Sequence, residues 1–183
     1  KKPILEKEEY VPCDTVLFSV GLIPENELTR KAGIAMDRIT NGPAVNQYMQ
    51  TSAPSVFACG NVVHVNDLAD NVSEESARAG KYAALYALGR FPKAEKTVKC
   101  VPGRNVRYLC PQCVCVGSGS EKTTLYFRML QPEENVKITA RCGETILVER
   151  RAFRVNPGEM EHVTVDNNKL AGDEITVEVA KEG

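Results

Sequence analysis

Tryptophan is absent from this 183-residue chain, and aromatic residues of all kinds make up only 6%. That is too little for a base-stacking surface. There is no surplus of positive charge either. The net charge is −1 and the pI is near 6.2, so nothing advertises nucleic acid or an anionic membrane as a partner. Long uncharged apolar runs are missing, and no membrane-spanning helix is expected. The first residues, Lys1-Lys2-Pro3-Ile4-Leu5-Glu6-Lys7-Glu8-Glu9, hold no apolar core of the kind a signal peptide carries. The chain does not begin with Met, and we expect an excised piece of something longer.

Cysteine is plentiful. The seven are Cys13, Cys59, Cys100, Cys110, Cys113, Cys115 and Cys142. An odd number without a secretory signal argues against a disulfide scaffold and for a reducing, cytoplasmic setting. Hydrophobic residues at 43% and charged residues at 26% are ordinary for a globular protein.

Composition changes character near residue 92, and we divide the chain into residues 1–97 and 98–183. In the first part Val16-Leu17-Phe18-Ser19-Val20-Gly21 and Ser55-Val56-Phe57-Ala58-Cys59-Gly60 are short apolar runs closed by glycine, which predicts two buried strands. Glu25 to Ala32 has helical composition and stops at Gly33. Ser73-Glu74-Glu75-Ser76 predicts a helix N-terminus, with a serine cap and acids in the first turn. That helix is rich in alanine and runs to Gly89, before Phe91-Pro92.

After Pro92 no helical pattern of useful length occurs. Five segments read as strands: Thr123 to Arg128, Val136 to Ala140, Ile146 to Glu149, His162 to Val165 and Glu174 to Val179. They are separated by turn chemistry such as Asn156-Pro157-Gly158. This predicts an all-β antiparallel sandwich or barrel.

Two segments carry the chemistry. One is Asp14-Thr15-Val16-Leu17-Phe18-Ser19-Val20-Gly21-Leu22-Ile23-Pro24-Glu25-Asn26. The other is Thr51-Ser52-Ala53-Pro54-Ser55-Val56-Phe57-Ala58-Cys59-Gly60-Asn61, followed by the small-residue helix with Ala79-Gly80 and Ala83-Ala84. In this order they resemble the C-terminal third of the pyridine nucleotide–disulfide oxidoreductase family. The resemblance covers residues ~11–90. It implies an α/β fold, the C-terminal part of an FAD/NAD(P)-binding Rossmann-like domain. It also implies a parent enzyme that passes a hydride from NAD(P)H to FAD and electrons onward to an unidentified acceptor, with the isolated fragment inactive. By the same resemblance Gly60 and Asn61 approach the FAD, and Asn71, Val72 and Ser73 bring backbone N–H groups to the flavin ring. The family has Asp where this chain has Asn61.

No Gly-x-Gly-x-x-Gly follows any strand. Gly117-Ser118-Gly119-Ser120 has the wrong spacing and opens no helix. The phosphate cradle of a dinucleotide is therefore missing from these residues.

Cys110-Pro111-Gln112-Cys113-Val114-Cys115 leaves three readings open. Cys110, Cys113 and Cys115 form a thiolate site for zinc or an iron–sulfur cluster. Alternatively they include a redox dithiol, or are small apolar packing residues. His64 reads as a loop residue or as part of an active site, and His162 as a cross-strand neighbour. Against the flavoenzyme stand two rival readings: a non-enzymatic β-sandwich interaction module and a cysteine-ligated metal domain. The appended β-domain is a candidate dock for an electron-transfer partner or another subunit.

Overall fold

A computed structural model of the chain describes residues 3–19, 21–117 and 121–181. Two helices, α1 (Glu27–Lys31) and α2 (Ala69–Ala87), lie in the first part. Eight strands follow: β1 (Lys96–Pro102), β2 (Val106–Cys110), β3 (Cys113–Val116), β4 (Lys122–Met129), β5 (Glu133–Cys142), β6 (Thr145–Val155), β7 (Glu161–Asp166) and β8 (Glu174–Lys181). All five strand segments expected after residue 122 are present. The strands β1, β2 and β3, which bring in Cys100, Cys110, Cys113 and Cys115, were not foreseen.

The strands form two sheets. One has five strands in the order β3-β1-β8-β5-β6, and the other has three in the order β2-β4-β7. The first is not purely antiparallel as expected, because β1 and β8 run parallel, with Cys100 opposite Ile175 and Val101 opposite Thr176. The first and last strands of the β-domain are thereby zipped side by side. Period-two burial explains why each strand holds its face. Along β8 the side chains of Ile175, Val177 and Val179 are fully buried while Thr176, Glu178 and Ala180 are partly exposed. One apolar cluster draws Val98, Val114, Ile138 and Val177 from the larger sheet and Leu109, Leu125, Phe127 and Val163 from the smaller. Each such side chain contributes about 1.5–3 kcal/mol on burial.

The small sheet has a second face, and it too is covered. On β2, Leu109 points into the β-domain core, while Tyr108 and Cys110 join a second cluster with Val45, Met49, Val63 and Ala79 of the first part. On β4, Leu125 and Phe127 face the core. The alternate residues Tyr126 and Arg128 reach back to His64 and Asp67. The small sheet is thus a middle layer between the larger sheet and residues 42–87. The segment around Asn46 pairs with Cys113 in a parallel bridge. Gln47 fastens that pairing by donating to the Cys115 carbonyl at 2.7 Å and accepting from the Cys115 N–H at 2.8 Å.

Both strands expected in the first part are absent. Residues 14–19 are irregular, with Leu17 91% and Phe18 84% exposed; Val20 lies outside the described residues. Among the described residues no strand adjoins this segment to pair with its backbone, and an unpaired strand is unstable alone in water. Residues 55–60 make a tight loop instead of a strand. The Thr51 N–H donates to the Val56 carbonyl at 3.0 Å and a lone bridge joins Gln50 to Phe57, after which Gly60–Val62 form a 3₁₀ turn. Helix α1 falls where expected. Helix α2 begins at Ala69, four residues before the expected Ser73 cap; the Ser73 hydroxyl donates back to the Ala69 carbonyl at 3.0 Å inside the helix.

Gly42 fits this packing only because it lacks a side chain. A Cβ there would stand 1.9 Å from the Val63 carbonyl oxygen, a backbone atom with no freedom to yield. Gly80, on the exposed side of α2, would meet nothing within 4 Å. In this chain Gly42→Ala is expected to destabilise by about 3 kcal/mol, and Gly80→Ala to stabilise by about 0.5–1 kcal/mol. Urea unfolding of the two variants checks the pair; equal stabilities would contradict the packing described.

Candidate functional site

The turn at Gly60–Asn61 is built from four directions. Gly60 has φ +72°, a left-handed conformation that favours glycine, and a Cβ would press on Val72 at 3.1 Å. Its N–H donates to Glu75 Oε2 at 2.7 Å. From α1's entrance comes Asn26, 1% exposed, whose amide donates to the Asn41 carbonyl at 3.0 Å and the Val62 carbonyl at 2.8 Å. Asn26 ends the first sequence motif and Val62 follows the second, so this side chain is the physical tie between the two. On the far side Asn61 Oδ1 accepts from the Asn66 N–H at 3.0 Å, folding the next loop over.

At the centre lies an ionisable pair. Glu75 and His64 are each 1% exposed, with Glu75 Oε1 2.7 Å from His64 Nε2. Both carboxylate oxygens are engaged, one by Gly60 and one by His64. His64 Nδ1 turns to β2, with the Tyr108 hydroxyl at 3.5 Å. The His64 ring also packs against Tyr126 on β4. Burial alone would lower the imidazole pKa. The Cys110 thiol and the Glu75 carboxylate outweigh it and raise the value from 6.5 to about 11. The imidazole is therefore protonated at neutral pH. A cavity of about 280 Å³ reaches His64 and Tyr108 between Leu22, Ile23, Arg107 and Arg128.

The loop beyond His64 is anchored to the β-domain. Arg128 pairs with Asp67 and donates to the carbonyls of Val65 at 3.1 Å and Gly158 at 2.7 Å. Asp67 Oδ2 also accepts from the Met160 N–H at 2.7 Å.

Gly60, Asn61 and the start of α2 are brought together. Of the three helix residues expected to offer N–H groups, only Asn71 has one free. Because α2 starts at Ala69, the geometry of the helix commits the N–H groups of Val72 and Ser73 to carbonyls four residues back. The groups left open are those of Ala69, Asp70 and Asn71, which point out of the positive end of a 19-residue helix. An exposed Asn61 amide, a left-handed glycine and an open helix N-terminus suit the pyrimidine edge and sugar chain of a flavin.

The cysteine expectation fares differently. Cys110 is buried on the face of β2 that meets the first part, while Cys113 and Cys115 lie on β3 of the other sheet. Among the described residues no group of three or more His, Cys, Asp or Glu side chains is placed to hold a metal ion. The expected ligand set Cys110, Cys113 and Cys115 is thus not assembled. The physical reason is the Pro111-Gln112 turn, which sends the chain from one sheet to the other. Nor do the thiols have the character of a redox pair. Burial pushes Cys113 up to about 11, with the neighbouring Cys115 adding to it, and burial also raises Cys115 and Cys100. Gly117 is described, but Ser118-Gly119-Ser120 lies outside the described residues.

Sequence reasoning missed Glu75 altogether, reading it as one acid of a helix's first turn. A signal was present: Glu74-Glu75 sits in a helix whose other buried position is Ala79, four residues on.

The model of the pyridine nucleotide-disulphide oxidoreductase family matches residues 1–83. Over these residues the chain is similar to that family. The nitric oxide reductase FlRd-NAD(+) reductases of Citrobacter koseri and Salmonella agona are each 37% identical over 62 residues. That stretch is 34% of this chain and 16% of each relative, so the chain spans about a sixth of the curated relatives it matches. No solved structure matches the chain. No helix among the described residues is long and apolar enough to cross a membrane.

Two measurements check the site. A raised folded-state pKa adds stability that is fully present below pH 6.5 and is lost as pH rises towards about 11. The stability difference between wild type and His64→Gln should therefore be largest below pH 6.5 and shrink above it, and Glu75→Leu should cost about 3–5 kcal/mol at pH 7. Thiol labelling of the native chain should modify exposed Cys13 first and leave buried Cys110 and Cys142 untouched until unfolding; rapid labelling of Cys113 or Cys115 would contradict their raised pKa values.

Proposed function

We propose that this chain is a fragment of a flavin-dependent oxidoreductase whose full-length form passes a hydride from NAD(P)H to FAD and electrons onward to an acceptor. The observation that carries the reading is the Gly60–Asn61 turn, held by Glu75 beside the open N-terminus of α2. Gly60, Asn61, Asn71 and, through its side chain, Val72 line the flavin side of the fragment; Ser73 contributes only to the helix. The relatives' printed name, an NAD(+) reductase, supports a nicotinamide nucleotide as the second partner.

When bound, the flavin supplies two-electron chemistry. The residues here hold and tune it. Glycine at position 60 lets the main chain approach closely. With a flavin bound, the free N–H groups of Ala69, Asp70 and Asn71 would lie where they can offset negative charge on the reduced ring, and the helix dipole would add to that. Asn61 can donate through its amide while its oxygen is held by Asn66. Unlike a carboxylate, it adds no charge beside the cofactor.

We assign residues 1–97 to the oxidoreductase region and 98–183 to an appended β-domain. The exposed run Val16-Leu17-Phe18 supports an incomplete first region, since so much apolar surface needs a partner.

These residues lack a phosphate cradle, so the isolated chain is expected to bind FAD weakly or not at all. The full-length protein should purify yellow. Titrating FAD into both checks the reading. Sub-micromolar affinity of the fragment would contradict the expected half-site, and a full-length protein with no affinity for FAD would overturn the function.

A further inference from the structure

The imidazole of His64 and its contact with Tyr108 have no part in the reading above. Glu75 is the single acceptor for the Gly60 N–H and for His64 Nε2, at 2.7 Å each. Among the described residues His64 is the side chain that bonds Glu75's second oxygen, and its other nitrogen faces Tyr108 on β2. A chain of contacts therefore runs from the backbone of the turn, through α2, into the β-domain.

We propose that Glu75 and His64 are positioning residues for the flavin turn, and that Tyr108 makes the appended β-domain a tuner of the flavin's reduction potential. The inference rests on the flavoprotein reading. Its physical basis is charge balance in a dry place. With its imidazolium partner, the Glu75 carboxyl holds Gly60 without placing a net negative charge behind the flavin. Without that cation, the pocket behind the turn loses one positive charge.

The surrounding groups reinforce the arrangement. Tyr108 and Cys110 face His64 from β2, and Tyr126 faces it from β4. Arg78 on α2 sits against Tyr126, with Glu74 near by. Arg107 and Arg128 line the cavity that reaches His64. The carboxylate among them, Glu74, is exposed on α2.

The test uses the full-length protein, in wild-type form and as His64→Gln and Tyr108→Phe. Glutamine keeps a donor towards Glu75 and removes the charge; phenylalanine keeps the ring of Tyr108 and removes its hydroxyl. Flavin absorption and reduction potential are followed from about pH 5 to 9. The expected result for His64→Gln is a more negative potential, because a positive charge behind the flavin is removed. Tyr108→Phe should retain flavin and shift in the same direction by less. Flavin-bearing variants whose potentials superimpose on wild type overturn the proposal. Should His64→Gln fail to fold, Tyr108→Phe with a wild-type profile overturns the β-domain's role on its own. A wild-type protein that neither carries nor takes up flavin sinks the flavoprotein reading instead.

Discussion

Everything around the candidate site depends on one buried carboxylate. Glu75 leaves α2 on its inner side and meets two donors that come from different parts of the chain, the Gly60 N–H and His64 Nε2. An ionised carboxyl at 1% exposure would cost several kcal/mol if left alone. Here both oxygens are satisfied and the charge is matched, so the group orders its surroundings instead of destabilising them. The turn, the helix and the loop after the turn can take only one mutual arrangement that satisfies it.

That arrangement extends into the β-domain through the small sheet, which buries both of its faces. Leu109 and Phe127 look into the sheet-to-sheet core, and Tyr108, Cys110 and Tyr126 look towards the first part. The two halves of the chain are therefore not beads on a string. Arg128 with Asp67, and Gln47 with the backbone of Cys115, fix their relation by polar contacts whose partners lie more than sixty residues apart. The cysteines of this region take part as packing residues on two different sheets, which is why their C-x-x-C spacing does not turn into a cluster.

The sequence made some of this legible and hid the rest for physical reasons. Alternating strands such as Glu174 to Val179 announce themselves, because period-two burial is written locally. The likeness to the family was readable from Thr51 to Asn61 as an ordered set of residue types. Its conformation was not: a run such as Val16-Leu17-Phe18 looks like a buried strand, but pairing depends on neighbours that local pattern cannot supply. The helix start was misjudged because Ser73 has cap chemistry while the chain enters the helix through Leu68. Most informative is Glu75, a charged residue beside another charged residue, which reads as solvated surface. Only the fold reveals that Gly60 and His64 both point at it. His64 stays open between loop and site in the sequence for the same reason: its partner is eleven residues away, and its second contact forty-four.

The protonation state of His64 is the most direct measure of whether this carboxylate organises the site. Nitrogen-15 NMR of the imidazole should show both ring nitrogens protonated at pH 8, with no titration near 6.5. A ring that is neutral at pH 8, titrating at the ordinary histidine value, would contradict the account.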